Sequence, residues 1–127
     1  MTEFLMIFRN DETTIDNRNA EQNQTAMQAW QKWIMDMAQT GTFAGTNRLA
    51  PEGKLLKPNN VITDGPFMEG KEMVGGYLLI NANSLAEATE IAKGCPGLTY
   101  GGTVEVRSVI PMDARQTADN AQSAKSK

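Results

Sequence analysis

The 127-residue sequence contains no histidine and only one cysteine, Cys95. Histidine is the commonest general base and the commonest metal ligand, so its absence excludes Ser-His-Asp, Cys-His and His-metal mechanisms. A single cysteine excludes an internal disulfide and a cysteine-rich zinc site. We therefore expect no metal site and no cofactor, and any acid/base chemistry must use Asp, Glu, Lys or Tyr.

The sequence also lacks a basic region and a long hydrophobic run. Its 12 Lys and Arg residues against 15 Asp and Glu residues give a net charge of −3, whereas nucleic-acid binding needs a basic face that neutralises phosphates. The apolar stretch within the N-terminal segment MTEFLMIFRN is too short for a signal peptide or a membrane span. We expect a cytoplasmic protein with no nucleic-acid or membrane partner, and the single cysteine is consistent with a reducing compartment.

Length and composition predict one domain followed by a tail. A chain of 13.9 kDa has room for a single domain, which we place at residues 1–111. The remaining segment, MDARQTADNAQSAKSK at residues 112–127, is small, polar and free of aromatic residues. Such a segment cannot bury enough apolar surface to fold, so we expect a disordered tail.

Alternating apolar residues predict four main strands. Residues 3–9 are apolar on both alternating sets, which is typical of a strand covered on both faces. Further strands are predicted at 42–49, at 73–82 and at 103–111. After the turn at Pro51 and Gly53, the segment KLLK is predicted to pair back onto the preceding strand as a short hairpin arm. The adjacent glycines of MVGGYLLINA suggest a bulge or a close backbone approach.

Helical spacing predicts two helices. The first runs from about residue 21 to 40 and ends at Gly41. The second follows Ser84, which forms a capping-box pattern with Glu87, and ends near Gly94 and Pro96. The apolar residues expected to pack in the core are Met27, Trp30, Trp33, Ile34 and Met37 of the first helix, Leu85, Ala88, Ile91 and Ala92 of the second, and Val104, Val106 and Ile110 of the last strand.

This βαββαβ order is that of a ferredoxin-like α+β sandwich. Two helices cover only one face of a four-stranded sheet, yet Leu5, Ile7, Tyr77 and Leu79 give the other face apolar character. An exposed apolar patch of this kind usually has a partner. We therefore predict a homodimer that packs the open faces together, as a dimeric α/β barrel.

The loop TDGPFMEGKE and the segments that follow it resemble the DGPF-domain branch of the YCII-related family. The resemblance extends over about residues 3 to 110, and its most specific part runs from the DGPF motif to Gly75-Gly76-Tyr77. The matching positions are residues 61–67, 69, 71, 72, 75–80, 87, 88, 95, 96 and 102–107.

The resemblance implies a ferredoxin-like dimeric α/β-barrel fold with a cleft near the barrel mouth. It implies no known reaction, and some similar proteins are encoded beside sigma factors of the extracytoplasmic-function type. Relatives in the wider family carry a His-Asp pair proposed as catalytic. Because this chain has no histidine, that pair is not carried over.

Asp64 is the candidate catalytic residue. A carboxylate on a Gly-Pro turn at the edge of a cleft has the chemistry of a general base, a substrate anchor or a weak metal ligand. The structural alternative is an aspartate that accepts backbone N–H bonds in the turn. Phe67 either packs the loop onto the core or lines a pocket. Lys71, with Glu69 and Glu72, forms either a solvated rim or part of a ligand site.

Glu105 and Arg107 share the strand face opposite Val104 and Val106. They form either an ion pair, within the sheet or across a dimer, or a site where Arg107 binds a carboxylate or phosphate; Arg9 is a weaker candidate for the same role. Tyr77 either donates a hydrogen bond into the cleft or satisfies its hydroxyl at the dimer seam. Cys95 is expected to be a structural thiol rather than a nucleophile.

Two functions are expected, the first from these residues and the second from the resemblance, and whether the protein is an enzyme stays open. The first is binding of a small organic molecule in the barrel cleft, with acid/base, lyase-like chemistry at Asp64 and binding by Phe67, Lys71, Tyr77, Glu105 and Arg107. The second is a non-catalytic accessory or ligand-sensing role alongside a sigma factor or another transcription regulator.

Overall fold

A computed structural model describes residues 1–11, 19–70 and 72–112, with Asp11 described by its backbone alone. Lys71 and the predicted tail from residue 113 onward lie outside the described residues. Within the described part of the chain, neither helix combines the length and the apolar character that crossing a membrane requires.

The main sheet is antiparallel and has the strand order β2–β6–β1–β7, with the short β5 paired to β6. Two helices and this order form an α+β fold compatible with the ferredoxin-like arrangement. The elements are β1 Thr2–Asp11, α1 Ala20–Gln39, β2 Phe43–Arg48, β3 Lys54–Lys57, β4 Val61–Asp64, β5 Met68–Glu69, β6 Glu72–Ala82, α2 Leu85–Ala92, a 3-10 turn Pro96–Leu98 and β7 Thr103–Ser108.

Each helix follows an N-cap residue whose side chain accepts a hydrogen bond from a backbone N–H of the first turn. Asn19 precedes α1 and forms a reciprocal capping box with Gln22, which the sequence analysis did not select. Ser84 accepts a hydrogen bond from the N–H of Glu87, as the Ser-x-x-Glu pattern predicted. The carboxylate of Glu87 accepts a hydrogen bond from Asn83.

The core lies between the helices and one face of the sheet. Phe4, Met6 and Phe8 alternate along β1 and are all buried. Phe8 contacts Trp30 edge-to-face, with ring centroids 5.0 Å apart, an arrangement that aromatic pairs prefer. The buried cluster comprises Phe4, Met6, Phe8, Met37, Leu78, Ile80, Ala82, Ala88, Ala92 and Cys95, with Trp30, Trp33, Ile34, Ile91, Val104 and Val106 partly buried against it.

Three residues predicted to be core are instead exposed. Met27 is 59% exposed while Ala26 is buried, because the buried line of α1 passes through positions 26, 30, 33 and 37. Leu85 is 52% exposed, since α2 packs through positions 88 and 92 instead. Ile110 is 75% exposed, because β7 ends at Ser108 and the strand alternation ends with it.

Residues 54–64, here called the arm, form a two-stranded hairpin separate from the main sheet. KLLK pairs forward with β4, so that Leu56 lies opposite Ile62. The prediction that KLLK pairs back onto the preceding strand is wrong, because β2 pairs with β6. Asn59 and Asn60 have φ values of 67° and 62°, and asparagine is among the residues that tolerate this left-handed conformation best. Leu56 and Ile62 are 70% and 60% exposed, so this cross-strand pair presents apolar surface to solvent, beside the charged pair Lys54 and Asp64.

Cys95 is buried beside α2, with 2% of its surface exposed. Burial raises the pKa of its thiol from 9.0 to about 11, although backbone hydrogen bonds from Gly97 and Leu98 act in the opposite direction. A neutral thiol in this environment is a poor nucleophile. Its surroundings are those of a structural residue.

The pKa of Cys95 predicts a loss of stability at high pH. Between pH 9 and 11 the unfolded chain releases the thiol proton while the folded protein retains it, so the unfolded state binds fewer protons and stability falls as pH rises. At pH 10.5 this difference amounts to about 2 kcal/mol. Urea unfolding of wild type and of Cys95→Ala at pH 8 and 10.5 measures the contribution of the thiol. The tyrosines and lysines are present in both proteins, so their contributions cancel in the comparison. A free-energy difference between the two proteins that is the same at both pH values would contradict the prediction.

Candidate functional site

A cleft of about 360 Å³ lies where the end of β1 meets the start of β6 and the loops that flank the arm. Its wall combines apolar side chains with both signs of charge. The lining residues are Arg9, Leu49, Ala50, Glu52, Pro66, Phe67, Glu69, Glu72, Met73 and Val74.

A β-bulge in the centre of the sheet forms one end of the cleft. Phe8 lies opposite Gly76, but Arg9 lies opposite Val74, so Gly75 is the extra residue. The carbonyl of Gly75 accepts a hydrogen bond of 2.9 Å from the N–H of Leu49. Bulges bend a strand and redirect neighbouring side chains, and here the affected residues, Arg9, Leu49 and Val74, all line the cleft.

Gly76 allows a close approach between neighbouring strands. A Cβ at this position would lie 2.9 Å from the backbone oxygen of Asn47, a distance that a side chain does not tolerate. The adjacent glycines were predicted to mark a bulge or a close backbone approach, and the structure confirms both.

The DGPF loop is tied to the segment that precedes the arm. The N–H of Gly65 donates to the carbonyl of Gly53 at 2.7 Å, and Gly65 has φ 82°, a conformation that favours glycine. Pro66 then packs against Gly53. This tether places Phe67 in the cleft wall, where it is 65% exposed, so the alternative that Phe67 packs onto the core is wrong.

Asp64 is the last residue of β4 and lies outside the set that lines the cleft. Its side chain is 90% exposed and forms an ion pair with Lys54, its partner in the hairpin register. An ion pair as exposed as this one contributes little to stability. The residue that follows, Gly65, is held to the segment before the arm by its backbone bond to Gly53.

Glu105 lies between two guanidinium groups on the sheet face away from the helices. Arg9 donates from Nη1 to Oε1 of Glu105 at 2.7 Å, and Nε of Arg107 lies 4.0 Å from Oε2. The predicted ion pair within the sheet therefore exists, but the closer partner of Glu105 is Arg9. Because Arg9 also lines the cleft, it connects the cleft to this sheet face.

Tyr77 lies on the same sheet face, in register with Ile7 of β1, which is in turn opposite Glu105 of β7. Its hydroxyl accepts a hydrogen bond of 2.9 Å from Nδ2 of Asn47. This bond gives the hydroxyl oxygen a donor within one protomer. Tyr77, Glu105 and Arg107 thus share a sheet face, whereas Phe67 lies in the cleft.

Of the residues that line the cleft, Phe67 was predicted from the sequence, and Glu69, Glu72 and Arg9 were candidates. The lining residues not predicted as part of a site include Leu49, Glu52, Met73 and Val74. Nothing in the local sequence marks Leu49, at the end of the predicted strand 42–49, or Glu52, in the following turn, as part of a site. The available signal was the pair Gly75-Gly76, whose bulge holds Leu49 beside β6. Among the described residues, no three cysteine or acidic side chains are arranged to hold a metal ion.

An antiparallel sheet with two helices on one face and a cleft beside a central bulge defines an α+β protein compatible with the ferredoxin-like class. The sequence matches the YCII-related domain over residues 2–113, and the chain belongs to the YCII-related family. The search of curated proteins found no match to this chain. Its placement in the DGPF branch stays a prediction that rests on residues 63–72.

Proposed function

We propose that this protein binds a small organic molecule in the cleft and does so as a homodimer. The cleft itself carries the proposal: its volume of about 360 Å³ is within the range of about 300–1,000 Å³ found for ligand pockets. Phe67, 65% exposed in its wall, offers an aromatic surface to a ligand. A largely exposed aromatic side chain on a tethered loop is better explained by binding than by folding.

The mixed lining also supports binding. Ligand sites typically combine apolar walls with a few placed polar groups that fix orientation. In this cleft Leu49, Met73 and Val74 supply apolar surface, and Arg9 supplies a guanidinium held by its ion pair with Glu105.

The dimer part of the proposal rests on the open face, the side of the sheet opposite the helices. On this face Leu5 lies opposite Leu79, and Ile7 lies opposite Tyr77. All four side chains are half-buried. Packing two such faces together would remove this apolar surface from water, as in a dimeric α/β barrel. Because Arg9 is shared by the cleft and the polar edge of the open face, the dimer would place the cleft beside the interface.

Catalysis at Asp64 stays a prediction. A general base must come within hydrogen-bond reach of the proton that it removes, and Asp64 lies on the arm with Lys54 as its partner. The carboxylates of Glu52, Glu69 and Glu72 line the cleft and are closer to a molecule bound there. We therefore propose binding, and acid/base chemistry is a separate claim to be tested on a bound ligand.

Replacing Phe67 by alanine is expected to lower the affinity of ligands bound in the cleft about tenfold or more, because contact with an aromatic ring contributes on the order of 1.5–3 kcal/mol. The measurement is a ligand-observed NMR screen of small organic acids, amines and zwitterions, followed by titration of the hits. Leu56→Ala is the matched control, since Leu56 is equally exposed but lies on the arm. Asp64→Asn should leave binding unchanged. Hits that bind Phe67→Ala as tightly as wild type would refute the cleft as the binding site.

The accessory role is the second candidate, and the arm is the observation that favours it. Leu56 and Ile62 lie opposite each other on a hairpin and expose most of their surface, which is typical of a contact surface for another protein. A sigma factor as that protein stays a prediction. Loss of binding to a purified sigma factor in a Leu56→Ser, Ile62→Ser double variant, with ligand binding unchanged, would favour this role.

A further inference from the structure

We propose that Arg9 binds an anionic group of the cleft ligand, that Glu105 is the residue that positions Arg9, and that the ligand is a small zwitterion with an apolar body. This inference rests on the proposed function, because it names the ligand class of the same cleft. It assigns the cleft guanidinium a role that neither the fold nor the family match supplies.

Arg9 lies where the bulge meets the cleft. The bulge at Gly75 shifts the β1–β6 register between Phe8 and Arg9. The side chain is 30% exposed and lines the cleft. The side chain is therefore largely covered, and part of it is accessible from the cleft; arginine commonly covers its aliphatic stem and keeps its charged group accessible.

The second step is the number of donors that Arg9 keeps. A guanidinium carries five N–H donors in a fixed planar fork. In the part of the chain that the structure describes, the hydrogen bond of its side chain is the one from Nη1 to Glu105. That bond fixes the plane of the guanidinium and leaves further donors for a carboxylate, which arginine binds in a bidentate manner. Glu105 acts through Arg9 and does not line the cleft.

The third step concerns the sign of the remaining charges. Glu52, Glu69 and Glu72 line the same cleft as Arg9, so a ligand with only negative charge would be repelled by them. A ligand with only positive charge would meet these carboxylates but would offer no acceptor to the guanidinium of Arg9. A molecule that carries both an anionic and an ammonium group satisfies both sets of residues, and opposite charges placed in this way fix its orientation.

The fourth step concerns the ligand's body. Leu49, Phe67, Met73 and Val74 provide the apolar part of the lining. Apolar walls lower the local dielectric constant and strengthen the contacts of Arg9 with an anion. The simplest molecule with all three features is an α-amino acid with an apolar side chain.

The test uses three probes titrated into the full chain by calorimetry: L-phenylalanine, L-phenylalaninamide, which lacks the carboxylate, and N-acetyl-L-phenylalanine, which lacks the ammonium group. We expect L-phenylalanine to bind and each analogue to bind about tenfold more weakly or worse. Equal affinity for L-phenylalanine and its amide would overturn the role of Arg9. Equal affinity for L-phenylalanine and the N-acetyl form would overturn the zwitterion class.

Variants separate binding from positioning. Arg9→Lys keeps the charge but loses the planar fork, and it should weaken L-phenylalanine about tenfold. Glu105→Gln should weaken L-phenylalanine and leave the amide unchanged, a selectivity that a general loss of structure would not produce. Lys57→Met, on the arm, is the control for removal of a positive charge. An unchanged affinity of Arg9→Lys for L-phenylalanine would overturn the proposal.

The proposed function and this inference fail in different ways. If a ligand from the NMR screen binds in a Phe67-dependent manner but L-phenylalanine does not bind, the ligand class is wrong and the binding function stands. If no compound in the screen binds wild type, the proposed function itself fails. Circular dichroism of each variant checks that the fold is retained.

Discussion

Replacing Leu79 by lysine is expected to raise the dissociation constant of the proposed homodimer at least about 100-fold. Leu79 lies in β6, where its register partners are Leu5 of β1 and Gly45 of β2. Burial of a leucine contributes about 1.5–3 kcal/mol, and a two-fold interface contains the residue twice. The lysine also introduces a charge that the interface would have to bury without a partner.

Analytical ultracentrifugation over a range of protomer concentrations measures this effect. Leu85→Lys is the matched control, because Leu85 is 52% exposed on α2 and the same substitution there should leave association unchanged. A wild-type chain that sediments as a monomer at every concentration would refute the dimer. A dimer that Leu79→Lys does not weaken would place the interface on another surface.

Replacing Met6 by alanine is expected to lower the free energy of unfolding by about 2–5 kcal/mol. Met6 has no exposed surface, so its truncation removes buried contacts and leaves a cavity. Ile7 is its neighbour in β1 but points to the open face and is only half-buried. Ile7→Ala should therefore cost less, about 1–2 kcal/mol, when the protein is studied as a monomer.

Urea unfolding of both variants at low protomer concentration measures this difference. At high protomer concentration association adds stability by mass action, so the loss of unfolding free energy caused by Ile7→Ala should increase. The loss caused by Met6→Ala, which lies in the core, should stay similar. Equal costs for the two variants at low concentration would show that β1 is covered on both faces within one protomer. That outcome would contradict the open face.

Much of the fold was predictable because strand and helix periods are local properties of a sequence. The alternation of Phe4, Met6 and Phe8 against Leu5 and Ile7 predicted a strand with two apolar faces, and the structure buries the first set under the helices. Val104 and Val106 were likewise predicted to pack under the helices, and they do. The pair Gly75-Gly76 predicted a bulge or a close backbone approach, because glycine inside a strand often marks one of these.

The wrong core predictions concern residues beyond the end of a strand, or helix positions adjacent to the residue that is buried. Met27 and Ala26 differ by one step of the helix, and periodicity alone does not decide which of them faces the sheet. Ile110 continues the alternation of β7 in sequence but lies beyond its last paired residue. In each case the packing of the helix or strand against its neighbours decided the outcome.

The sequence by itself excluded histidine-dependent chemistry within these 127 residues. It also determined the family, the order of the main elements and the residues of the sheet faces. Only the tertiary structure decided which side chains form the cleft. Leu49, Glu52 and Phe67 meet Arg9 because the bulge and the bond between Gly53 and Gly65 bring distant segments together. Likewise Arg9 and Glu105, 96 positions apart, form an ion pair across neighbouring strands. Such contacts depend on strand pairing and register, which are set by the whole fold and not by the residues on either side of each position.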